Sequence, residues 1–335
     1  MKRFAMFVLV AAAAYAAEGY HVLSKIKIGG MGGWDYVTVD SNAQRLYATH
    51  GTEVDVVDLK DGKVVGTIPQ LHGVHGVALA PDLNKGFISN GQSNSVTIFD
   101  LKTLAKSGEP AVGGMNPDAI CYEPKTQRVF TFNGRSSNST VINAKTGEPE
   151  TTFPVGGKPE FCVADGAGKL YVNLEDKAAV VEIDAAKPAV LRTGSIAPCE
   201  EPSGLAIDTK DGVLFSVCAN KMMMVTSTKD LKVIAMPAIG ANPDATGYDP
   251  GTGLAFSSNG TDGTLTIVKN NGGKWESVDT VTTERGARTM TVDPKTHRVY
   301  LLAAEYGPAP EAKAGEKKGR APILPDSFHV LVVGK

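Results

Sequence analysis

Seven residues that carry reactive or charged groups recur in the chain at spacings of 40, 43, 42, 43, 41 and 44 residues. They are Asp35, His75, Asp118, Glu160, Ser203, Asp244 and Arg288. Four are carboxylates, and carboxylates brought close together require a cation, a proton or an arginine to offset their repulsion. If the fold collects these side chains, they predict a binding site for a small ligand or a divalent cation. His75 and Arg288 are then the candidates for catalytic roles, as a general base and as a partner for negative charge on a substrate.

A second set of polar residues follows members of the first set by 15 positions and includes His50, Asn90, Asn133 and Asn259. Oxygen ligands suit calcium or magnesium, and the candidates are Asp118, Glu160, Asp244, Asn133 and Asn259. His50 and His75 together with a carboxylate would instead suit zinc or another transition metal. The alternative is that the acids bind backbone amides or are solvated, with Arg288 balancing one of them. A divalent cation is the one cofactor that these residues suggest.

The same spacing is present in a longer sequence repeat, which identifies the elements that must position these residues. Segments such as VTVDSNAQRLY from Val37 and MTVDPKTHRVY from Met290 share a pattern of alternating apolar residues, an acid and an aromatic. Seven such units are present, each of a length typical of the four-stranded blade of a β-propeller. The sequence therefore predicts an all-β fold with seven four-stranded antiparallel blades. We expect the N-terminal run Tyr20 to Ile28 to supply the missing strand of the last blade, because this closure leaves no open sheet edge.

In such a propeller, the links into the first strand of each blade and the turns between its second and third strands emerge on one face. Residues at equal positions in the repeat form a ring around the central channel. The seven spaced residues are therefore predicted to meet at one mouth of that channel, where ligand sites are favoured because the surface is concave.

The second strands carry a family resemblance. Tyr47-Ala48-Thr49-His50, Phe130-Thr131-Phe132-Asn133 and Phe256-Ser257-Ser258-Asn259 resemble degenerate copies of the Tyr-Val-Thr-Asn motif of YVTN-repeat propellers. The chain as a whole is similar to the secreted, YncE-like bacterial proteins of that family, and this resemblance implies a seven-bladed propeller. It leaves the activity open, because the fold hosts binding proteins, lactonases and redox enzymes.

The chain has 335 residues and a formal net charge of −2, which gives no electrostatic reason to expect a nucleic acid partner. Lys2 and Arg3 precede an apolar stretch that ends in Ala14-Tyr15-Ala16, a pattern typical of a cleaved signal peptide. The stretch is too short to span a bilayer, so no membrane anchor is expected. We predict a signal peptide over residues 1–16, a single propeller over residues 17–335, and a periplasmic or secreted protein.

Export permits disulfide bonds, and four cysteines allow three complete pairings. Cys199 and Cys218 are predicted to lie on the same face of one blade and are the favoured pair. Cys121 and Cys162 lie within first strands, where buried free thiols are expected. A long Pro-, Gly- and Lys-rich segment, residues 307–326, separates the last two strands and is either a lid over the channel or a solvated loop.

These residues favour a non-enzymatic function, since no complete catalytic signature is present. The predicted protein is an exported binding or scaffold propeller that presents its channel mouth to a small ligand, a metal ion or a protein partner. The alternative is a metal-dependent, lactonase-type hydrolase in which ring carboxylates hold the ion. A quinone-cofactor dehydrogenase is a weaker alternative, because two tryptophans offer few planes for stacking.

Overall fold

The repeats fold as the alternation of their apolar residues predicts, into short strands that bury one or both faces. A computed structural model of the protein describes residues 19–310 and 321–335, and these form seven four-stranded antiparallel sheets. The first strands of the seven sheets contact one another in a closed circle, with β2 beside both β6 and β26. This circle lines the central channel, and the prediction of a seven-bladed propeller is confirmed.

Each blade is numbered by its place in the circle, and its strands run from the channel outward. Blade 1 contains β2 (Val37–Asp40), β3 (Arg45–His50), β4 (Glu53–Asp58) and β5 (Lys63–Ile68). Blade 2 contains β6 (Val74–Ala80), β7 (Lys85–Asn90), β8 (Ser95–Asp100) and β9 (Lys106–Gly108). Blade 3 contains β10 (Pro117–Glu123), β11 (Arg128–Asn133), β12 (Asn138–Asn143) and β13 (Pro149–Pro154).

Blade 4 contains β14 (Pro159–Ala164), β15 (Lys169–Leu174), β16 (Ala179–Asp184) and β17 (Ala189–Ser195). Blade 5 contains β18 (Leu205–Asp208), β19 (Val213–Cys218), β20 (Met222–Ser227) and β21 (Val233–Ala235). Blade 6 contains β22 (Pro243–Asp249), β23 (Leu254–Asn259), β24 (Thr264–Asn271) and β25 (Lys274–Thr282). The described helices are two 3₁₀ turns, Pro81–Leu83 and Glu175–Lys177, and no helix within the described residues is long and apolar enough to cross a membrane.

Blade 7 is built from both ends of the propeller. It contains β26 (Met290–Asp293), β27 (Arg298–Ala303) and β28 (His329–Gly334), and its outer strand is β1 (His21–Lys27). β1 pairs antiparallel with β28 from His21 opposite Gly334 to Lys27 opposite His329. The predicted closure of the last blade by the N-terminal strand is confirmed, and it joins the two ends of the propeller in one sheet.

Apolar side chains fill the spaces between neighbouring blades. Between blades 7 and 1, for example, Trp34 stacks on Phe328 with 5.4 Å between ring centroids, and Leu46 and Tyr300 are buried beside them. The acids of the repeat have a different role, in the turns between first and second strands. Asp40 accepts the backbone N–H groups of Asn42 and Ala43, each at 2.9 Å. The repeated acid therefore fixes these turns, which lie at the channel end opposite the predicted ring.

Two disulfides are present. Cys199 and Cys218, the pair that the sequence favours, are bonded with 5.3 Å between their Cα atoms. Cys121 and Cys162 are also bonded, with 6.3 Å between Cα atoms, so the expectation of free thiols at these positions is wrong. Both lie on first strands of adjacent blades, β10 and β14, where the circular packing places the two backbones side by side.

Candidate functional site

The seven spaced residues lie where the first strands begin, at one mouth of the channel, and each is half-buried. For four of them, the pairing of first and second strands is irregular at or next to the residue: His75, Asp118, Glu160 and Asp244. An irregularity of this kind bends a strand and redirects a side chain. The local backbone therefore turns these side chains out of the regular alternation of the sheet.

Asp35, His75 and Asp118 come from blades 1, 2 and 3 and form one cluster. His75 Nδ1 lies 2.6 Å from Asp35 Oδ2 and 3.5 Å from Asp118 Oδ1. Burial lowers the pKa of His75, but the hydrogen bond to Asp35 and the charges of Asp118 and Asp35 outweigh burial and raise that pKa to about 9. Burial raises the pKa of Asp118 to about 6, although the nearby charge of His75 opposes the increase.

Glu160 lies in blade 4 beside a lysine and a second acid. Lys158 Nζ is 3.7 Å from Glu160 Oε2 and forms its closer ion pair with Glu175. Burial, followed by the charges of Asp118 and Glu175, raises the pKa of Glu160 to about 8. At neutral pH this carboxyl is therefore mostly protonated.

Arg288 lies between blades 6 and 1 and is already paired. Its Nε donates to Asp244 Oδ2 at 2.6 Å, and its Nη2 donates to the carbonyl oxygen of Trp34 at 3.3 Å. Ser203, the neutral member of the ring, donates its hydroxyl to the carbonyl oxygen of Pro243 at 3.1 Å. Arg288 and Ser203 thus connect adjacent blades. Arg288 also balances the charge of one acid, Asp244, which is the alternative role that the sequence suggests for it.

Tyr36 crosses the channel directly beneath the ring. Its hydroxyl donates to the carbonyl oxygen of Glu160 at 3.3 Å, and its ring meets Phe161 edge to face with 5.0 Å between centroids. Burial, followed by the negative charges of Asp118, Glu160, Asp35 and Asp244, raises the pKa of Tyr36 well above its usual range. All four ring acids therefore lie within electrostatic reach of the Tyr36 hydroxyl.

We call this arrangement the acidic cup: a wall of Asp35, His75, Asp118, Glu160, Asp244 and Arg288 above a floor of Tyr36. Gly76 makes room for the floor, since a Cβ there would lie 3.2 Å from the Tyr36 ring. Three further residues lie at the cup and are not among the seven residues predicted from the repeat spacing: Tyr36, Lys158 and Glu175. Tyr36 is adjacent to Asp35 in the chain, so its position next to the ring is the signal that would have identified it.

The channel end opposite the cup has a different chemistry. A cavity of about 520 Å³ opens there, and its described lining consists mainly of Val39, Leu79, Ile120, Val163 and the Cys121–Cys162 disulfide. One acid is part of this lining, Asp40, and its carboxylate is committed to the backbone amides of its own turn. The acids that could hold a cation in the channel therefore belong to the cup end.

Part of the chain is similar to two curated bacterial proteins. It is 31% identical to antigen Lp49 of Leptospira interrogans (serogroup Icterohaemorrhagiae, serovar copenhageni) over 126 residues, which are 36% of this chain and 27% of the antigen. It is 26% identical to the uncharacterized protein YncE of Salmonella typhi over 151 residues, 42% of this chain and 41% of YncE. Each alignment spans less than half of the relative's length. The chain is a seven-bladed β-propeller that is similar to YncE.

No protein-family model matches the sequence. Among solved structures, a chain of the Kuenenia stuttgartiensis hydrazine synthase superposes with a TM-score of 0.70 at 16% identity, covering 81% of this chain and 92% of that one. The structure of U3-55K gives a TM-score of 0.74 at 7% identity and covers 92% and 97% of the two chains. At these identities the likeness concerns the fold of the YncE-like propeller and not its activity.

In this YncE-like propeller, the asparagines that end the second strands hold the sheets together. Asn133 donates its amide to Asn138 at 2.8 Å and to Thr140 at 3.1 Å. Asn259 donates to Thr264 and Thr266, and both asparagines are fully buried. The structure thus gives Asn133 and Asn259 a structural role within their blades and does not bring them into the acidic cup, in contrast to the predicted metal-ligand role.

His50 belongs to a separate cluster in blade 1, so the predicted pairing of His50 with His75 at one metal is wrong. His50 Nδ1 lies 3.2 Å from Asp55 Oδ2 and 3.7 Å from Glu53 Oε1. The ring packs on Phe328 with 4.4 Å between centroids, and its Nε2 is buried without a hydrogen-bond partner. The two histidines therefore contribute to two different sites.

The base of the long segment 307–326 lies beside the cup. Gly307 donates its N–H to the carbonyl oxygen of Pro322 at 2.8 Å, and Tyr306 lies near enough to Arg288 to influence its pKa. Residues 311–320, which include the basic part of the predicted lid, lie outside the described residues. Whether the segment covers the channel stays a prediction.

Proposed function

We propose that this YncE-like propeller is an exported binding protein that takes a cationic ligand in its acidic cup. The single observation that supports the proposal most strongly is that acidic residues of different blades meet at this mouth. Asp35 and Asp118 both contact His75. Tyr36, next to Asp35, reaches the backbone of Glu160. Burial, followed by the repulsion of neighbouring negative charges, raises the pKa values of three of the ring acids. Binding of a cation is favourable here because its positive charge offsets that repulsion. The half-buried position of these groups strengthens the effect, because solvent screens them less than it screens surface charges.

Export is part of the proposal and rests on residues outside the described part of the chain. The N-terminal pattern predicts cleavage after Ala16, and two disulfides support an oxidising compartment. We expect the mature protein in the periplasm or the medium to begin at Ala17. N-terminal sequencing of the fractionated protein tests this, and retention of Met1 in the cytoplasmic fraction would contradict it.

A hydrolase of the lactonase type has less support from the same geometry. A histidine with a pKa of about 9 is protonated at neutral pH, so His75 is not available as a general base in this arrangement. Arg288 is paired with Asp244 and is not free to meet negative charge on a substrate. The cup is therefore better suited to binding than to hydrolysis.

The experiment that tests the binding proposal compares probes of opposite charge. The probes for calorimetry are two cations, Zn²⁺ and agmatine, and one anion, citrate. We expect at least one of the cations to bind and citrate not to bind. The double variant Asp118→Asn/Asp244→Asn removes two cup charges and should weaken cation binding by about 10-fold or more, a loss of about 1.4 kcal/mol.

The matched control is Asp61→Asn/Asp230→Asn, which makes the same charge change at exposed turns on the opposite face. This control should bind cations as the unmodified protein does. The proposal is wrong if neither cation binds, if citrate binds instead, or if the cup variant keeps its full cation affinity while its circular dichroism shows it to be folded.

A further inference from the structure

We propose that Asp35, His75 and Asp118 form a binding site for a divalent transition-metal ion. The inference rests on the proposed cation-binding function and names the ligand class. The three residues come from three consecutive blades, and each offers one ligand atom, all within 4.8 Å of one another. They are brought together by the circular arrangement of the blades, since 40 and 43 residues separate them in the chain.

The donor set selects among metal ions. One imidazole nitrogen, which releases its proton when the ion binds, and two carboxylates match the ligands of zinc and related ions, whose bonds to nitrogen and oxygen are about 2.0–2.2 Å long. Calcium prefers six to eight oxygen ligands, and magnesium is held mainly by oxygen and water. Two carboxylates also neutralise the two positive charges of the ion. The three protein ligands leave a coordination position for water or for a ligand that enters the cup.

One hydroxyl group holds both the backbone next to His75 and the backbone of Asp118. Ser89 Oγ donates to the carbonyl oxygen of Asp118 at 2.6 Å and accepts the N–H of Gly76 at 2.9 Å. The N–H of Asp35 donates to Thr49 Oγ1 at 3.0 Å. Each ligand residue, or its neighbour in the chain, is thus bound to a second strand, and such outer contacts hold metal ligands in position.

Gly91 provides the space that the imidazole occupies. A Cβ at this position would lie 2.5 Å from His75 Nε2 and 2.9 Å from Asn116 Oδ1, distances shorter than real Cβ contacts. An alanine here would therefore displace the imidazole without removing any ligand. This makes Gly91 a positioning residue, and its substitution tests the geometry of the site.

The His50 cluster offers the same types of donor and is the competing location. His50, Glu53 and Asp55 also place ligand atoms within 4.8 Å. The side chains of His50 and Asp55 are only 1% and 7% exposed, however, and Thr67 donates to Asp55 Oδ1 at 3.0 Å. His75, Asp35 and Asp118 are 25%, 23% and 15% exposed, so an ion and its water can reach them from the cup.

The test measures Zn²⁺ affinity by competition with a chelating dye, on chelator-stripped protein purified without a histidine tag. His75→Gln and Asp118→Asn should each weaken Zn²⁺ binding by about 100-fold, the upper end of the loss caused by changing a residue that only supports a ligand. The matched controls His72→Gln, an exposed histidine in the same link, and His50→Gln should change the affinity by less than about threefold. Ca²⁺ should bind much more weakly than Zn²⁺.

A second measurement covers the case in which a ligand variant does not fold. Gly91→Ala should weaken Zn²⁺ binding by about 10-fold or more and shift the visible absorption of the Co²⁺-loaded protein. Gly33→Ala is its control, because a Cβ at Gly33 would meet no atom within 4 Å. The proposal is overturned if Zn²⁺ fails to bind, if His50→Gln and not His75→Gln abolishes binding, or if Gly91→Ala leaves both readouts unchanged. Binding of agmatine without Zn²⁺ would overturn the metal site and leave the proposed function intact.

Discussion

Glu160 shows how the acidic cup shifts the chemistry of one residue. Its carboxyl is buried near Asp118 and Glu175, and these surroundings raise its pKa from 4.5 to about 8. Between these two pH values the folded protein binds a proton that the unfolded chain releases. The free energy of unfolding therefore falls as the pH rises through this range, since stability decreases wherever the folded state binds more protons.

Replacing this group should flatten that dependence. In Glu160→Gln, which cannot ionise, the decrease in the free energy of unfolding between about pH 5 and pH 8 should be smaller than in the unmodified protein. Urea unfolding at a series of pH values in the presence of a chelator measures the difference. Glu109→Gln, in an outer strand link of blade 2, is the control and should reproduce the unmodified curve. Parallel curves for Glu160→Gln and the unmodified protein would contradict the raised pKa.

At the scale of single strands, the repeat predicts where the ring residues lie along the chain but not the direction in which their side chains point. Residues at equal offsets, such as Asp118 and Asp244, do meet at one mouth because both begin a first strand. The irregular pairing at these positions could not be predicted, since it depends on contacts between two backbones rather than on the order of residue types. For the same reason, the sequence did not separate His75, which faces the cup, from His50, which packs on Phe328.

The asparagines of the second strands provide a test at this scale. The amide oxygens of Asn133 and Asn259 accept the buried hydroxyls of Thr131 and Ser257, so removing either amide leaves a buried hydroxyl without its acceptor. Asn133→Ala and Asn259→Ala should each lower the free energy of unfolding by about 1–3 kcal/mol. Neither should change Zn²⁺ affinity, since neither amide belongs to the cup. Loss of Zn²⁺ binding in folded Asn259→Ala, measured by the dye competition, would restore the ligand role predicted from sequence.

At the scale of the whole molecule, three connections close the circle of blades. β1 completes blade 7, Arg288 joins Asp244 to the carbonyl of Trp34, and a disulfide links β10 to β14. The period of the repeat predicts the first of these, because a blade that lacks a strand leaves an open edge. The Cys121–Cys162 bond escaped prediction although 41 residues, close to one repeat, separate the two cysteines. They occupy different offsets from the repeated acid, Cys121 two residues before Glu123 and Cys162 three residues before Asp165, so the period of the repeat does not pair them.

This disulfide should contribute to the stability of the propeller as a whole. Closing a loop of 41 residues corresponds to about 4 kcal/mol of stabilisation in the chain-entropy estimate. Cys121→Ser/Cys162→Ser should therefore lower the midpoint of urea unfolding while the cup keeps its cation affinity. An unchanged midpoint would show that the bond constrains the unfolded chain less than the estimate requires.

The central claim is that a divalent transition-metal ion binds among the acids of the cup, and the most direct measurement is anomalous scattering from Zn²⁺-soaked crystals of the mature protein. Diffraction collected on both sides of the zinc absorption edge locates the ion independently of any variant. We predict an anomalous peak about 2.0–2.2 Å from His75 Nδ1 and from carboxylate oxygens of Asp35 and Asp118. A peak at His50 and Asp55, or no peak in the channel mouth, would contradict the account.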